Sequence, residues 1–517
     1  MNEVLVPGLP AAKSLHVNPP VAELRELTDR MANARQTEFG NPNLQTRVVS
    51  RSKLSTFLVS ETAIGTHQIM PRADFDTQAA RQDAYIAEQD MVLVEGWIGN
   101  DPKYRVPARL YIEAANANIA AMQRQLFFEP GDFGSDVEPS SILTVIYTPN
   151  LTAPGYPDDR LIAVDMESKI NRIFNSDYFG ESKKGNLRQW NKLVYDRGGI
   201  PLHAGAKVIP TPSGNRVAMI VGLSGTGKTT TTFTKQNGSL PVQDDFLAWW
   251  PNGDVSATEA GCFAKTFALS SEDEPTIYGA VTKPDAYLEN VSQDDDGKVD
   301  FFDTSYTKNG RATFSFSTID AADAREIHDA NILLILNKNE NVIPAVSKLT
   351  AAQAAAFFQL GETTGTSAGG ASEEGKFLRV PGTNPFFPMP HDLQGNRFLE
   401  LMEKNPLEVY VLNTGRVGGK DDVEGSMKVR IPHSSAIVKS IAEGTIEWTK
   451  DEDFGYEIAT KVPGIDAADE GILRPKELYS KLGRDEEYMT RVERMKTERR
   501  EFLATFPELK DEIKNAV

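Results

Sequence analysis

The chain is poor in cysteine and has no long apolar run. Cys262 is the single cysteine in 517 residues, so no disulfide can form within the chain, and we expect a cytoplasmic protein. No apolar stretch approaches the ~20 residues that are needed to cross a bilayer. The N-terminal segment lacks a charged region followed by an apolar core, so we expect no signal peptide and no membrane partner.

Positive charge is scarce relative to negative charge. The chain has 55 lysines and arginines against 73 aspartates and glutamates, which gives a formal net charge of -18. Because such a protein repels polyanions, we expect no nucleic-acid partner. An anionic small molecule is still compatible with this charge, since a local basic pocket can exist inside an acidic protein. The length predicts two or three domains, and the sequence does not indicate an oligomeric state.

Helical and strand patterns alternate along the chain. Apolar spacing predicts helices over 21–36 and over 107–128, the second with Pro107 near its start, and charged surface helices after residue 474. A small, polar, glycine-rich segment predicts a mobile loop over 361–375. Runs of apolar and β-branched residues predict strands at 55–60, 90–99, 142–149, 160–166, 217–221, 330–337 and 407–413. The sequence therefore predicts a mixed α/β protein.

The segment GLSGTGKTTTT begins at Gly222 and follows the apolar run 217–221. With Gly227, Lys228 and Thr229 it matches the phosphate-loop pattern G-x-x-x-x-G-K-[ST], in the strand context that the motif requires. Glycines let successive backbone N–H groups curl around an anion, the lysine neutralises the β- and γ-phosphates, and the threonine hydroxyl ligates Mg²⁺. The motif predicts nucleoside triphosphate binding. By itself it leaves open a motor ATPase, a switch GTPase, a kinase and a transporter subunit.

Two adjacent aspartates, Asp244 and Asp245, follow the phosphate loop in PVQDDFLAWW. A usual phosphate-loop ATPase inserts a longer helix and a further strand before its metal-binding acid, and the sensor and coupling motifs of a motor or transport ATPase are not found. Successive side chains of a strand point in different directions, so one carboxylate could serve the nucleotide's Mg²⁺ and the other a second metal. The alternative is a solvated acidic turn, which the apolar flanking residues disfavour.

Sequence blocks between about residues 50 and 440 share a pattern with one family. The blocks are VSRSKLSTFLV at 49–59, SDYFGESKKGNL at 176–187, IPLHAGAKVI at 200–209, the phosphate loop, the aspartate pair, EAGCFAKT at 259–266, EDEPTIYGAV at 272–281, NGRATFSF at 309–316, NVIPAVSKLTAAQ at 341–353, NTG at 413–415 and SMKVRIPHSSAIV at 426–438. Together they resemble the ATP-dependent phosphoenolpyruvate carboxykinases. Because the blocks are dispersed over most of the chain, a chance match is disfavoured.

The resemblance implies a two-domain α/β fold with the active site in the cleft between the domains. It implies an N-terminal, mixed α/β, substrate-side domain at 1–200 and a C-terminal mononucleotide-binding domain at 201–517, with the phosphate loop at 222–229 and a lid-like loop at 361–375. It also implies the conversion of oxaloacetate and ATP into phosphoenolpyruvate, CO₂ and ADP, a reaction of gluconeogenesis. A closing lid would exclude the water that otherwise hydrolyses ATP or protonates the enolate.

The resemblance also implies site residues, each taken from a matching motif. The implied metal ligands are Lys184, His203, Asp245 and Thr229, with Mn²⁺ at the first three and Mg²⁺ at Thr229. The implied catalytic residues are Arg51, Tyr178, Lys183, Lys184, Ser224, Lys228, Lys265 and Arg311. The implied ATP-binding residues are Gly222, Leu223, Ser224, Gly225, Thr226, Gly227, Lys228, Thr229, Asp244, Glu274, Arg311, Lys428, Arg430 and Ser434.

These implied roles agree with the chemistry of the residue types. Loss of CO₂ from a β-keto acid leaves an enolate, which a divalent metal stabilises as a Lewis acid. A lysine such as Lys184 can ligate a metal only when neutral, and burial beside other cations lowers its pKa. Arg51 and Arg311 suit carboxylate and phosphate because a guanidinium pairs bidentately with either. Tyr178 is expected near the departing CO₂.

Some positions depart from the family's pattern. SKLST follows Arg51 where the family has SPKDK, Gln243 precedes the aspartate pair where the family has glycine, and 361–375 lacks the family's AGTE signature. Because these changes touch the substrate arginine and the lid, we keep open an enzyme of the same fold that acts on a different keto acid or carboxylate. A nucleotide-binding regulator without turnover is also open, but the joint presence of the metal-ligand and phosphate-loop residues disfavours it.

Overall fold

The structure is a computed structural model that describes residues 6–133, 137–223, 225–235, 238–364 and 376–517. Its helices are α1 (Val21–Asp29), α2 (Arg72–Ile86), α3 (Ala117–Leu126), α4 (Phe179–Asp196), α5 (Lys228–Phe233), α6 (Pro275–Val281), α7 (Ala351–Leu360), α8 (Asp392–Lys404), α9 (Ile431–Glu443), α10 (Pro475–Lys481), α11 (Asp485–Ala504) and α12 (Asp511–Lys514). No helix of the described ranges is both long and apolar enough to cross a membrane.

Strands occur throughout the chain up to residue 461. The first are β1 (Ser14–Val17), β2 (Ala34–Gln36), β3 (Pro42–Leu44), β4 (Thr56–Val59), β5 (Ile69–Met70), β6 (Asp90–Ile98), β7 (Val106–Glu113), β8 (Leu143–Thr148), β9 (Leu161–Asp165), β10 (Ile170–Phe174), β11 (Ile200–Leu202), β12 (Ala204–Thr211), β13 (Gly214–Val221), β14 (Leu240–Gln243) and β15 (Leu247–Trp249). The others are β16 (Val255–Ala257), β17 (Gly261–Lys265), β18 (Tyr287–Glu289), β19 (Ser292–Gln293), β20 (Val299–Asp300), β21 (Arg311–Ser315), β22 (Ile332–Asn337), β23 (Val346–Leu349), β24 (Glu362–Thr364), β25 (Phe377–Arg379), β26 (Glu408–Asn413), β27 (Arg416–Val417), β28 (Met427–Lys428), β29 (Glu447–Lys450) and β30 (Glu457–Lys461).

An eight-stranded mixed sheet forms from residues 14–174, in the order β1-β6-β7-β8-β10-β9-β4-β5. Its central strand β8, with the sequence LTVIYT, is buried along its whole length, as expected for a strand that is covered on both faces. Phe179 and Trp190 of α4 belong to the same apolar core as the inward residues of β6 to β8. This packing fixes α4, which carries the two lysines of the site.

A second eight-stranded sheet has the order β14-β12-β13-β22-β26-β23-β30-β29. Alternate residues of β22 enter different cores: Leu333 packs in the core that contains Phe358 of α7, while Leu334 packs with Ile437 of α9. Helices therefore cover both faces of this sheet. Strands β13, β22 and β26 are parallel, so their carboxyl ends lie at one edge.

The register of the second sheet brings three site segments to that edge. Ala204, at the start of β12, pairs with Val221, at the end of β13, and Ala206 pairs with Gln243, at the end of β14. His203, the phosphate loop and the aspartate pair come directly before or after these residues in the chain. Antiparallel pairing of β12 with both neighbours thus places them together.

A five-stranded sheet has the order β17-β21-β18-β3-β2. Lys265 of β17 pairs with Arg311 of β21, and Arg311 also pairs with Glu289 of β18. The sheet combines β2 and β3 from the N-terminal part of the chain with strands beyond residue 260. The division of the chain at residue 200 stays a prediction.

Most predicted elements are confirmed, and two predicted helices need correction. The predicted strands appear as β4, β6, β8, β9, β13, β22 and β26, and the charged C-terminal helices as α10 to α12. The helix predicted over 107–128 is wrong in its first part: Val106–Glu113 is β7, between β6 and β8, and the helix begins at Ala117. Pairing with two strands overrides the local helical pattern there. The helix predicted over 21–36 ends at Asp29.

The predicted loop over 361–375 is only partly within the described residues. Its start forms β24, which pairs antiparallel with β25. Residues 365–375 lie outside the described ranges.

Candidate active site

Four basic side chains contact the carboxylate of Asp245. Lys183 and Lys184 come from the second turn of α4, His203 directly precedes β12, and Lys228 is the first residue of α5. Lys183 Nζ lies 2.9 Å from Oδ2, His203 Nε2 lies 3.0 Å from Oδ1, and Lys228 Nζ lies 3.4 Å from Oδ1. Lys184 Nζ also contacts Oδ2. The structure thus brings five of the residues implied by the sequence into one buried cluster.

Burial and mutual charge set the protonation of this cluster. Burial, helped by the charge of Lys183, lowers the pKa of Lys184 to about 7. Burial and Lys228 lower the pKa of His203 to about 3. Although burial opposes it, the three lysines hold the pKa of Asp245 well below its usual value. Near neutral pH the cluster therefore offers a carboxylate, a neutral imidazole and a lysine that is partly neutral.

Lys183 differs from its neighbour because it pairs with a second carboxylate. Its Nζ donates to Glu259 Oε2 over 2.9 Å. Although burial alone would lower it, Asp245 and Glu259 raise the pKa of Lys183, so this side chain stays charged. Gln243 Oε1 accepts the backbone N–H of Glu259 over 3.0 Å and so helps to position it. Glu259 lies within the EAGCFAKT block, but no role for it was predicted.

The imidazole of His203 has a fixed orientation. Its Nδ1 lies 3.2 Å from the carbonyl oxygen of Thr383, and its Nε2 lies 3.0 Å from the Asp245 carboxylate, so both ring nitrogens face an acceptor. A neutral imidazole carries one proton and can donate to only one of the two acceptors. A cation bound to Nε2 and Asp245 would let Nδ1–H donate to Thr383 and satisfy both contacts.

The residues around Asp245 therefore fit a metal ion with nitrogen and oxygen ligands. The part of the chain that the structure describes has no group of three or more His, Cys, Asp or Glu side chains arranged for a metal. A site here would use His203, Asp245 and, as its third donor, Lys184. The lowered pKa of Lys184 makes its lone pair accessible to a metal at neutral pH.

Asp244 faces the phosphate loop. Thr229 Oγ1 lies 3.4 Å from its Oδ2, and Cys262 Sγ lies at the same distance from that oxygen. The other oxygen, Oδ1, is buried without a hydrogen-bond partner among the described residues. An unpartnered buried carboxylate oxygen is costly unless a cation or donor satisfies it. Asp244 and Thr229 thus fit a divalent cation beside the phosphate loop.

The phosphate loop has the backbone that its glycines permit. Gly225 and Gly227 have φ values of 88° and 89°, in the left-handed region that favours glycine. A Cβ at Gly222 would lie 2.5 Å from Thr226 Oγ1. Thr414, just after β26, donates its hydroxyl to the Thr226 carbonyl over 2.7 Å and ties the loop to the neighbouring strand end.

Three other residues implied to bind ATP are Glu274, Thr226 and Ser224, and the structure describes the first two. Glu274 Oε1 accepts from Thr230 Oγ1 over 2.7 Å, so the structure brings this acid to the helix that follows the loop. Thr226 Oγ1 donates to the carbonyl of Leu223 over 2.8 Å. Ser224 lies outside the described residues.

Arg311 and Tyr178 meet around one ring and one amide, whereas Nζ of Lys265 lies 5.6 Å from the centroid of a different ring, Phe267. The Arg311 guanidinium lies 5.2 Å from the centroid of Phe263, and the Tyr178 ring lies 6.1 Å from the same centroid. Asn309 donates to the Tyr178 hydroxyl over 3.3 Å and accepts from Arg311 Nε over 3.1 Å. Asn309 lies in the NGRATFSF block, but no role for it was predicted.

Arg51 lies at a second ring, Phe386. The guanidinium of Arg51 lies 5.3 Å from its centroid, and Nζ of Lys184 lies 4.4 Å away. Arg188, another side chain without a predicted role, approaches the ring to 5.7 Å. Phe386 thus contacts both the candidate substrate arginine and Lys184 of the Asp245 cluster.

The implied adenine-side residues are not brought into these contacts. Arg430 pairs with Asp469 over 2.5 Å and contacts His433 over 3.0 Å. Lys428 lies in β28 and Ser434 in the first turn of α9. In the described ranges none of these three predicted residues has a hydrogen bond or ion pair to the phosphate loop. Their role in binding the base stays a prediction.

A phosphate loop beside a buried set of nitrogen and oxygen donors is typical of a metal-dependent enzyme that uses a nucleoside triphosphate. Comparison with known proteins gives the family. A family model described as phosphoenolpyruvate carboxykinase matches residues 13–468. The chain therefore belongs to the family of ATP-dependent phosphoenolpyruvate carboxykinases.

Curated relatives named phosphoenolpyruvate carboxykinase (ATP) align with this chain over nearly their whole length. The protein from Brevibacillus brevis named phosphoenolpyruvate carboxykinase (ATP) is 31% identical over 496 residues, which cover 91% of this chain and 90% of that protein. The protein of that name from Mesorhizobium japonicum is 30% identical over 92% of this chain and 89% of its own length. That from Alkaliphilus oremlandii is 28% identical over 100% of this chain and 98% of its own length.

Proposed function

We propose that this protein converts oxaloacetate and ATP into phosphoenolpyruvate, CO₂ and ADP. The observation that carries the proposal is that one carboxylate, Asp245, contacts Lys184 through Oδ2 and both His203 and the phosphate-loop lysine Lys228 through Oδ1. Decarboxylation and phosphoryl transfer would then occur within one cluster. The names of the relatives favour this reaction over one on a different keto acid.

We infer that Lys184, His203 and Asp245 hold Mn²⁺, and that Thr229 and Asp244 hold the Mg²⁺ of ATP. When bound, the first ion withdraws charge from the substrate oxygen as CO₂ leaves, and the second offsets the charge of the phosphates. The donor set and the unpartnered Asp244 Oδ1 support these assignments.

The chain's own cations bind and orient the two substrates. Arg51 would pair its guanidinium fork with a carboxylate of the acid. Arg311 and Lys265, paired across β17 and β21, would face the γ-phosphate. Lys228 would offset the charge that develops on the transferring phosphoryl group. Lys183, kept charged by two carboxylates, would add a fixed positive potential.

The division of the fold into two domains is part of the same proposal. We infer a substrate-side domain at 1–200 and a nucleotide-binding domain at 201–517, with the site between them. Support comes from the two large sheets, which use residues 14–174 and 204–461. The loop that contains 365–375 would act as the lid, and the cytoplasm is the proposed location.

Turnover of variants tests the role of the cluster. Purified protein would be supplied with oxaloacetate, ATP, Mg²⁺ and Mn²⁺, and phosphoenolpyruvate and ADP would be followed together. We expect Lys228→Ala and His203→Ala each to lower the rate by about 100-fold or more, as for other groups that stabilise transition-state charge. Lys235→Ala, which removes a lysine paired with Asp320 on the surface, is the control and should keep full activity. Full activity of Lys228→Ala would contradict the proposal.

A further inference from the structure

Arg51, the candidate substrate arginine, lies in a segment without regular secondary structure. Residues 45–52 connect β3 to the 3₁₀ turn Lys53–Ser55 and belong to no helix or strand. The backbone of such a segment has no ladder partners, so its buried N–H and C=O groups need side chains as partners. The position of Arg51 therefore depends on the side chains that bind this backbone.

Two polar side chains from distant segments bind the first half of 45–52. Asp177, which lies just before α4, accepts the backbone N–H of Arg47 through Oδ2 over 2.9 Å and that of Val48 through Oδ1 over 3.0 Å. Asn309, which lies just before β21, donates to the carbonyl of Val49 over 2.7 Å. These contacts fix three consecutive residues of the segment.

Glu181 holds the other end of the segment. It lies in the first turn of α4 and accepts the backbone N–H of Ser52 through Oε1 over 2.8 Å. This N–H belongs to the peptide group that joins Ser52 to Arg51. The Glu181 side chain is 1% exposed, and its Oε2 lies 3.5 Å from Arg188 Nη2. A hydrogen bond from a backbone N–H to a carboxylate is among the stronger ones in proteins, so it fixes this peptide group.

One helix carries both Glu181 and two members of the Asp245 cluster. Lys183 and Lys184 follow Glu181 on α4 by two and three residues, and both contact Asp245. The helix is held against the first sheet by its apolar side chains. The spacing between the carboxylate that holds 45–52 and the amines at Asp245 is therefore set within one turn of a rigid element.

We propose that Glu181 is a positioning residue for Arg51: it holds the Arg51–Ser52 peptide group so that the guanidinium lies at a carboxylate of the organic acid. The inference rests on the proposed function and deepens it, because Glu181 acts on the acid through Arg51 and does not act on ATP. The sequence predicts no role for Glu181, although it lies in the SDYFGESKKGNL block. Its role follows from its contact with a residue 129 positions away in the chain.

Steady-state kinetics of three variants test the inference. Glu181→Met removes the acceptor, Glu181→Asp keeps the charge but shortens its reach, and Glu181→Gln keeps an oxygen that can accept the Ser52 N–H. We expect Glu181→Met to raise the KM for oxaloacetate about 10-fold or more, and the KM for ATP by less than about 2-fold. Glu181→Asp should raise the KM for oxaloacetate by about 3-fold or more, and Glu181→Gln should restore most of the wild-type value. An unchanged KM for oxaloacetate in the Met and Asp variants, or equal rises for both substrates, would overturn the proposal.

Two further variants separate a positioning role from a structural one. Glu113→Met is the matched control, since Glu113 is 3% exposed and accepts the backbone N–H of Asn150 over 3.2 Å. It should lower the melting temperature and leave both KM values unchanged. Arg51→Met/Glu181→Met should have the same KM for oxaloacetate as Arg51→Met alone, because Glu181 acts through Arg51. A raised KM for oxaloacetate in Glu113→Met, or a further rise in the double variant, would assign Glu181 a merely structural role and overturn the proposal.

Calorimetric titration with succinate, a dicarboxylate that cannot lose CO₂ here, keeps these outcomes distinct from a failure of the carboxykinase assignment. A wild-type chain that forms no phosphoenolpyruvate, but binds succinate more tightly than Glu181→Met does, would refute the reaction and retain the positioning role. A chain that forms phosphoenolpyruvate, with the same KM for oxaloacetate and the same succinate affinity in Glu181→Met, would retain the reaction and refute the positioning role.

Discussion

Replacing Arg499 with methionine would remove one half of a buried ion pair near the predicted lid. Arg499, on α11, donates from Nη2 to Glu362 Oε2 over 2.7 Å and from Nε to Oε1 over 3.0 Å. Glu362 begins β24, the strand that leads into 365–375, and also accepts from Arg379 of β25 over 3.2 Å. The side chains of Arg499 and Glu362 are 1% and 3% exposed. A C-terminal helix, beyond the residues that the family model matches, thus holds the base of this loop.

The expected loss of stability depends on which hydrogen-bond donors Glu362 keeps after Arg499 is replaced. Removing one partner of a buried ion pair costs about 3–5 kcal/mol, because the other charge stays buried. Arg379 and Asn337 still donate to Glu362, so we expect the lower end of that range, about 3 kcal/mol. Urea unfolding followed by tryptophan fluorescence measures it. The double variant Arg499→Met/Glu362→Leu should be less destabilised than Arg499→Met alone, since it leaves no uncompensated carboxylate.

The effect should depend on pH with a defined sign. Although burial opposes it, Arg499 and Arg379 hold the pKa of Glu362 below its usual value. Ionised Glu362 therefore stabilises the fold above its unfolded pKa of about 4.3, and this contribution disappears as pH falls through the folded value. The destabilisation by Arg499→Met should be full at pH 7 and shrink below pH 4. A loss under 1 kcal/mol at pH 7, or an equal loss at pH 3, would refute the reasoning.

Two other substitutions probe the phosphate loop and the helix after it. Gly227→Ala puts a Cβ at a φ of 89°, so we expect ATP binding, measured by calorimetry, to weaken about 5-fold or more, and unchanged affinity would contradict the loop geometry. Lys207→Met removes the amine that donates to the carbonyls of Thr231 and Thr234 at the end of α5, over 3.0 and 2.7 Å. We expect it to lower the free energy of unfolding by about 1–3 kcal/mol, and a change near zero would show that these carbonyls need no partner.

The phosphate loop and the aspartate pair could be predicted because the sequence carries them as contiguous signals. The strand before Gly222 was recognised from its apolar run, and β13 occupies that position. The convergence of His203 with Asp245 was implied only by family resemblance, since no local pattern relates them. The structure gives its physical basis, the antiparallel pairing of β12 with β13 and β14.

Other parts of the site depend on contacts between distant segments and could not be predicted. Glu259 gains its role only because α4 carries Lys183 to within 2.9 Å of it. Arg188 lies in a helix whose polar residues could each have faced solvent, and only packing shows that its side chain is buried and that its guanidinium lies 5.7 Å from the centroid of Phe386. The helix predicted over the first part of 107–128 is wrong for the same reason, because that segment pairs with two neighbouring strands of the sheet.

We propose that the cluster around Asp245 couples decarboxylation to phosphoryl transfer. The most direct test is the ratio of phosphoenolpyruvate, ADP and CO₂ formed in one reaction by the wild-type chain from oxaloacetate and ATP with Mg²⁺ and Mn²⁺. We expect equal amounts of the three products. ADP formed without phosphoenolpyruvate, or CO₂ released faster than ADP by an enzyme-dependent route, would contradict it.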